Sequence, residues 1–324
     1  MLEYGCRSAV GRTAGFGGGD QAIPVRIVSA MNSHEESLLI KSEPQPPSFF
    51  RAGWLPRIHR RLSQVLETAK IINFDDSSRY ILFSDLHRGN GGKTDAFRPN
   101  AELFLAALQN YVRRGFTYVE VGDGDELWKG WPFEEIRHAH RRVFDLFHEL
   151  DKERRLHLIL GNHDVKRRTR HQGQKDGILV HEGLVFRHRV SGQRLFVVHG
   201  HQADILNDPM YFFARRVARY GYRLRDFLQK WRPPAPLERE KGKLEHRIID
   251  WINTYSQVVI CGHTHRMSFP FNGGPPYFNT GSGVFPGRIT GLEIEKGAIV
   301  PVQWVSHGRA RYVRQQLGPH QPLR

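Results

Sequence analysis

From Arg79 onward, short apolar runs alternate with longer stretches of helical spacing. The runs "RYILFSD" (79–85), "TYVEV" (117–121), "LHLILG" (156–161), "RLFVVHG" (194–200) and "QVVICG" (257–262) are rich in β-forming residues. Each ends in polar residues or glycine, which predicts strands. Between them, "NAELFLAALQNYVRR" (100–114) sets Leu103, Phe104, Ala107, Leu108 and Tyr111 at helical spacing. "EEIRHAHRRVFDLFHEL" (134–150) reads as a second helix. After Tyr277 come short β-like runs without helices, such as "ITGLEIEKGAIVPVQWV". Strand–helix alternation followed by strands predicts an α/β chain folded as a layered α-β-β-α sandwich.

The flanks differ. Residues 1–50 hold the glycine-rich "GRTAGFGGGD" and the proline-rich "KSEPQPPSFF", which predict a disordered leader. The main domain is expected over 51–310, with a tail at 311–324 and a basic helical insert at 203–250. Within the insert, segment 208–232 mixes aromatic residues with Arg215, Arg216, Arg219, Arg223, Arg225, Lys230 and Arg232. Its apolar positions recur at helical spacing, and "PPAP" ends it.

Composition narrows the picture only in part. The chain of 324 residues is long enough for a full core, and 39% hydrophobic with 25% charged residues is that of a soluble globular protein. A net charge of +15 and a pI near 10.1 favour an anionic partner. Nucleic acid, anionic lipid and phosphorylated metabolites stay open, as does a merely solvated basic surface. Two cysteines, Cys6 and Cys261, make no disulfide framework, so a reducing cytosol is the expected compartment. No run approaches the roughly 18 apolar residues of a spanning helix, and no signal peptide is expected.

The chemistry lies at the strand ends. Five apolar runs finish in metal-ligand or acid–base residues: Ser84-Asp85-Leu86-His87, Gly122-Asp123-Gly124-Asp125-Glu126, Gly161-Asn162-His163-Asp164, His199-Gly200-His201 and Gly262-His263-Thr264-His265. Taken singly, each is as well explained by a turn with a satisfied histidine. Five in order at the carboxyl ends of predicted strands are a strong joint signal, because ligands of open α/β sheets bind there. Asp85 and His87, two apart in an extended segment, would point the same way and grip one ion, and His263 and His265 repeat that spacing. Carboxylate, imidazole and amide oxygen without thiolate suit Mn²⁺, Fe or Zn²⁺.

The ordered set D-x-H, G-D-x-x-E, G-N-H-D, H-G and G-H-T-H resembles the calcineurin-like metallophosphoesterases, a superfamily of two-metal phosphoester hydrolases, over about residues 79–290. "SDLHRG" and "GDGDELW" are most similar to bacterial metallophosphoesterases, and more loosely to UDP-2,3-diacylglucosamine pyrophosphohydrolases. The resemblance implies two divalent metal ions, with manganese the expected metal, bridged by Asp123. Asp85, His87 and His265 would complete one site; Asn162, His199 and His263 would complete the other. His163 would stand by the scissile phosphate, Asp164 would be its neighbour in orientation, and Glu126 would support it. Two cations share a carboxylate readily and would lower the pKa of a shared water, supplying hydroxide to attack phosphorus.

Three details stay open. "HGH" offers His199 and His201, of which the family pattern favours His199. Asp125 falls at a variable position. Arg88, directly after a predicted ligand, is the best candidate for a phosphate grip, ahead of Lys166, Arg167 and Arg168. The expected substrate is a phosphorylated small molecule or a lipid-linked compound. The basic insert suits an amphiphilic substrate or an anionic membrane surface, which would place the protein at the inner face of the membrane. A nuclease or phosphodiesterase is less favoured, since no nucleic-acid-binding module is visible. A phosphoprotein phosphatase is also open. A non-catalytic scaffold would be expected to have lost ligands, and no expected ligand type is missing.

Overall fold

The alternation of apolar residues along each strand decides the layering. The computed structural model describes residues 48–164, 173–204, 235–270, 273–308 and 311–323. Residues up to 47, the triplet Lys166, Arg167 and Arg168, and the basic aromatic segment 208–232 lie outside the described residues. In chain order the elements are α1 (Ser48–Thr68), β1 (Lys70–Phe74), β2 (Tyr80–Phe83), α2 (Ala101–Arg113), β3 (Thr117–Val121), α3 (Phe133–Ala139), α4 (Arg141–Lys152) and β4 (Leu156–Ile159). Then come β5 (Gln174–Lys175), β6 (Ile178–His181), β7 (Gly183–His188), β8 (Arg194–Val198), α5 (Ala235–Tyr255), β9 (Val258–Cys261), β10 (Met267–Ser268) and β11 (Tyr277–Thr280). The chain closes with β12 (Arg288–Glu295), β13 (Ala298–Ser306), β14 (Tyr312–Gln316) and β15 (Gln321–Pro322).

Among the described residues these strands form two sheets. One has the order β1-β7-β8-β9-β11-β10, the other β14-β13-β12-β2-β3-β4-β6-β5, with β15 against β13. Tyr80 and Leu82 of β2, Val119 and Val121 of β3, and Leu195 and Val197 of β8 share one apolar cluster between the sheets. Their alternates point outward. Ile81, Phe83 and Tyr118 pack with α2 and α4, while Phe196 and Val198 pack with α1 and α5. Both faces of each sheet are therefore buried, which is why these strands read as nearly continuous apolar runs. The result is an α-β-β-α sandwich.

Several elements differ from the sequence expectation. The helix expected over 134–150 is two helices, broken at His140, whose Nε2 sits 2.9 Å from Asp95 Oδ2. That buried pair fixes the loop before α2 and takes His140 out of helical geometry (φ −113°, ψ 31°). The last part of the expected insert, 203–250, belongs to the core. Leu244, Ile248, Trp251 and Ile252 of α5 are spaced to one helical face and buried. Helix α1 had no counterpart in the sequence reading, yet Ile58 and Leu62 lock it to the same cluster. The expected tail, 311–324, instead extends a sheet through β14 and β15, and Leu323 is buried.

β14 is held by charge. Glu293 of β12 is only 2% exposed, accepts the Tyr111 hydroxyl at 2.6 Å, and takes both the Nε–H (2.6 Å) and Nη2–H of Arg314. Removing one partner of a buried pair strands the other. Arg314→Met should therefore cost about 2 kcal/mol, below the full buried-pair value because Arg314 is partly exposed. The double variant Arg314→Met/Glu293→Met should recover most of that loss in urea unfolding. A double variant as unstable as the single would show that the ion pair is not what anchors the strand.

Candidate metal centre

β2, β3 and β4 are parallel neighbours in one sheet, and β8 and β9 are parallel neighbours in the other. Their carboxyl ends deliver Asp85 and His87, Asp123 and Glu126, Asn162 and His163, His199, and finally His263 and His265. The chain turns sharply at each end. Asp85 (φ 51°), His87 (φ 50°), Asp123 (φ 51°), His263 (φ 68°) and His265 (φ 59°) all lie in the left-handed region. Such backbone costs on the order of 1 kcal/mol per residue and gathers at functional sites. The D-x-H and H-x-H pairs are thus not extended, as the spacing suggested. They converge because the backbone coils around a point. Glycine makes room for this. A Cβ at Gly122 (φ 81°) would strike the His199 ring, and one at Gly262 would strike Ser84 and Asp85.

Among the described residues, two groups of donors join ligands from both sheets. In the first, His265 Nε2 lies 3.1 Å and His87 Nε2 3.9 Å from Asp85 Oδ1, and the two Nε2 atoms are 3.2 Å apart. In the second, His199 Nε2 lies 3.1 Å from Asp123 Oδ2, with His263 completing the group. The same Asp123 Oδ2 stands 3.8 Å from His87 Nε2, so one oxygen faces both groups. Two donor atoms each about 2.1 Å from a shared cation would sit roughly 3 Å apart.

The hydrogen-bond network points these atoms at a common centre rather than at one another. His199 Nδ1–H donates to Val121 O at 2.8 Å, and His87 Nδ1–H to Glu126 Oε2 at 3.1 Å. Ser282 gives its hydroxyl to Asp85 O, so His265 Nδ1–H donates to the serine oxygen at 3.3 Å. In the neutral rings all three Nε2 atoms are left as lone pairs. Asp85 Oδ2 is taken by the Ser84 hydroxyl and the His263 N–H, and Asp123 Oδ1 by the His163 N–H. What remains is buried and lacks a hydrogen bond: Asp85 Oδ1, His199 Nε2 and Asn162 Oδ1. Acceptors facing acceptors in a dry site require positive charge between them. These residues fit two divalent cations.

The electrostatics of the site agree. Burial would raise Asp85 and Asp123, yet the histidines around them hold both below the usual carboxylate range. Burial would lower His87 and His199, but Glu126 in the first case and Asp123 in the second lift each to about 9. Without cations, protons on these rings balance the carboxylates. Because the folded pKa values exceed the ordinary value of 6.5, that stabilisation is complete below pH 6.5 and is lost as pH rises through about 9. In chelator the melting temperature should therefore fall between pH 6.5 and 9, and excess Mn²⁺ should remove most of the fall. A chelated protein with a flat profile would overturn this account.

His163 lies beside the first group. Its Nδ1–H donates to Glu126 Oε1 at 2.9 Å, and its ring meets His87 edge-on with centroids 4.5 Å apart. Glu126, not Asp164, orients it. Asp164 instead accepts the N–H groups of Gly161 and Asp125, both at 2.8 Å, and ties the two loops together. His201 is near, its ring 5.5 Å from that of His199, but it is not among the converging donors. Cys261 is a small buried residue whose thiol burial pushes up to about 12.

Arg88 is not a phosphate grip. It is 0% exposed, donating from Nε to Asp125 Oδ1 (2.7 Å) and from both Nη atoms to Glu120 (2.7 and 2.8 Å), above the Phe144 and Phe147 rings. Lys175 completes this network, 2.5 Å from Asp125 Oδ2 and 3.3 Å from Asp164 Oδ1. Burial opposes the charge on Glu120, but Arg88 and Lys175 hold its pKa at about 2. Sequence reasoning missed Glu120 and Lys175. The signal was there in "TYVEV", where an acid interrupts a strand buried on both faces. Arg88→Met should cost about 3–5 kcal/mol of stability, with KM for a phosphoester unchanged in the protein that remains folded. A raised KM at unchanged stability would restore the phosphate role.

Residues 78–267 match the family described as calcineurin-like phosphoesterase. The match spans more than half of the chain, and the protein belongs to that family. It is a metal-dependent phosphoester hydrolase by class. A comparison with curated proteins gives no match. Among solved structures, Vacuolar Protein Sorting 29 from Cryptosporidium parvum is 13% identical with a TM-score of 0.39, over 76% of this chain and 100% of that one. A mutant cold-active protein tyrosine phosphatase is 13% identical with a TM-score of 0.39, over 77% and 83%. A protein serine/threonine phosphatase from Saccharomyces cerevisiae is 12% identical with a TM-score of 0.35, over 86% and 93%. At these values the structural likenesses carry no argument about substrate.

Proposed function

We propose that the protein hydrolyses a phosphoester or pyrophosphate bond with two divalent cations, one at Asp85, His87 and His265, the other at Asn162, His199 and His263. Asp123 would be shared between them. The observation that carries this reading is the position of Asp123 Oδ2, 3.1 Å from His199 Nε2 on one side and 3.8 Å from His87 Nε2 on the other. Oxygen and imidazole donors without thiolate favour manganese, with iron or zinc as alternatives. When bound, the cations supply Lewis acidity to the phosphoryl oxygens and lower the pKa of a nearby water.

The chain's own residues do the rest. His199, His87 and His265 are held with Nε2 turned inward by their Nδ1–H bonds. Asp85 and Asp123 each spend one oxygen on the protein's N–H or O–H groups, which fixes the other. His163 keeps Nδ1 on Glu126, so a proton on Nε2 is the one it can give to the departing oxygen. Burial opposes charge on Glu126, but His163 and His87 keep it ionised, so the group that accepts the His163 Nδ1–H stays a carboxylate. The expected substrate is a phosphorylated small molecule or a lipid-linked compound, taken at the inner face of a membrane or in the cytosol. No helix of the described residues is long and apolar enough to cross a membrane. Nothing among the described residues favours a nucleic-acid or phosphoprotein substrate.

The test is hydrolysis of para-nitrophenyl phosphate and of its bis ester, side by side, with Mn²⁺ and with chelator. Turnover should require metal and should vanish in Asp123→Asn, while His163→Ala should keep its metal and lose about 10²–10⁴-fold in kcat on the matching phenyl ester, whose leaving oxygen needs a proton. The preferred ester separates monoesterase from diesterase. Failure to bind metal at all would end the hydrolase reading.

A further inference from the structure

The "VGDGDELW" stretch ends in a residue that this chemistry has not used. Three successive residues hold His163. Glu126 Oε1 accepts its ring Nδ1–H at 2.9 Å, and the Leu127 N–H donates to its main-chain carbonyl at 3.1 Å. The Trp128 indole then stacks on its imidazole, with centroids 4.3 Å apart and planes 27° from parallel. Leu127 and Trp128 belong to one tight helical turn, Leu127–Lys129, that starts directly after Glu126. The loop carrying the acid thus also carries a flat cover for the ring the acid holds.

A hydrogen bond at Nδ1 fixes one point of an imidazole but lets the ring pivot about it. A parallel indole face removes that freedom, since tilting the ring forfeits stacking contact. The indole also attracts the ring more strongly when it carries a proton. We infer that Trp128 is a positioning residue for the reaction: it holds the plane of the His163 ring so that Nε2–H points at the departing oxygen. This rests on the proposed acid role of His163. The step it serves is the transfer of the Nε2 proton to the leaving oxygen as its bond to phosphorus breaks and a water-derived oxygen bonds phosphorus in its place. His163 is left neutral and is reprotonated from water.

The experiment compares Trp128→Leu, Trp128→Phe and His163→Ala on two aryl esters of whichever class the protein hydrolyses. One ester releases para-nitrophenolate, which leaves without a proton; the other releases phenolate, which needs one. In Trp128→Leu, kcat should fall about tenfold on the phenyl ester and less than about threefold on the para-nitrophenyl ester, with KM unchanged. Trp128→Phe should restore most of the phenyl-ester rate, and His163→Ala should show the same bias more strongly. Equal losses on both esters in Trp128→Leu, alongside a biased His163→Ala, would overturn the role of Trp128. An unbiased His163→Ala would instead show that the acid reading itself is wrong. The stack has a readout that needs no turnover: Trp128 emission, taken as the difference from Trp128→Phe, should rise when His163→Ala removes its partner. Unchanged emission would overturn the inference.

Discussion

A carboxylate placed where water cannot reach it is the constraint on which this structure turns. Asp123 is 1% exposed at the edge of two packed sheets, and its charge must be met by something. Three of its neighbours are imidazoles, and a fourth partner is a backbone N–H. To bring those groups within reach, the chain leaves extended geometry at five ligand positions and gives up side chains at Gly122 and Gly262. The cost of that strain falls on residues whose neighbours on the strand are fully buried, such as Phe83, Val121 and Cys261. The sandwich supplies the rigidity; the site spends it.

The three acids of "VGDGDELW" serve three separate ends, which explains their crowding. Asp123 faces the histidines of the metal centre. Asp125 faces the other way, into Arg88 and Lys175. Glu126 links His87 to His163. Acids this close together in sequence would repel one another in a dry site if they shared one partner set. Here Asp125 has Arg88 and Lys175, while Asp123 and Glu126 share His87 and His163 and Asp123 adds His199, so the repulsion is offset locally. Asp164 joins the last two loops by accepting N–H groups from both, with Lys175 beside it.

Much of this was legible before any coordinates. Glycine and acids or histidines at the ends of apolar runs marked where strands stop and chemistry begins, because few other residues tolerate so tight a turn. The sandwich followed from strand–helix alternation that gives way to strands after Tyr277. Arg88 shows where such reading fails. Its place after a ligand suggested a phosphate grip, but the left-handed turn at His87 sends it inward, to pair with Asp125 and with Glu120 of β3. No local pattern carries that information; it depends on a strand more than 30 residues away. Helices α1 and α5 were obscured for another reason. Their apolar stripes are short and are interrupted by arginine and lysine that cover the solvent side, so only the packed sheet reveals which face is the core. Nothing local marks Trp128, because its stacking partner His163 lies 35 residues further along the chain.

The origin of the ligands has a mechanical consequence. Asp85, His87, Asp123 and Asn162 follow strands of one sheet, whereas His199, His263 and His265 follow strands of the other. The donor groups therefore exist only when the two sheets are docked through the Leu82, Val121 and Val197 layer. Cations held there would bind the docked state and not the separated one, and their binding energy would add to the stability of the whole sandwich. The same logic runs in reverse. The apolar layer between the sheets sets how far apart Asp123 and His199 can stand, so a change in that layer reaches the site without touching a ligand. Packing and chemistry are coupled here because they share the same strands.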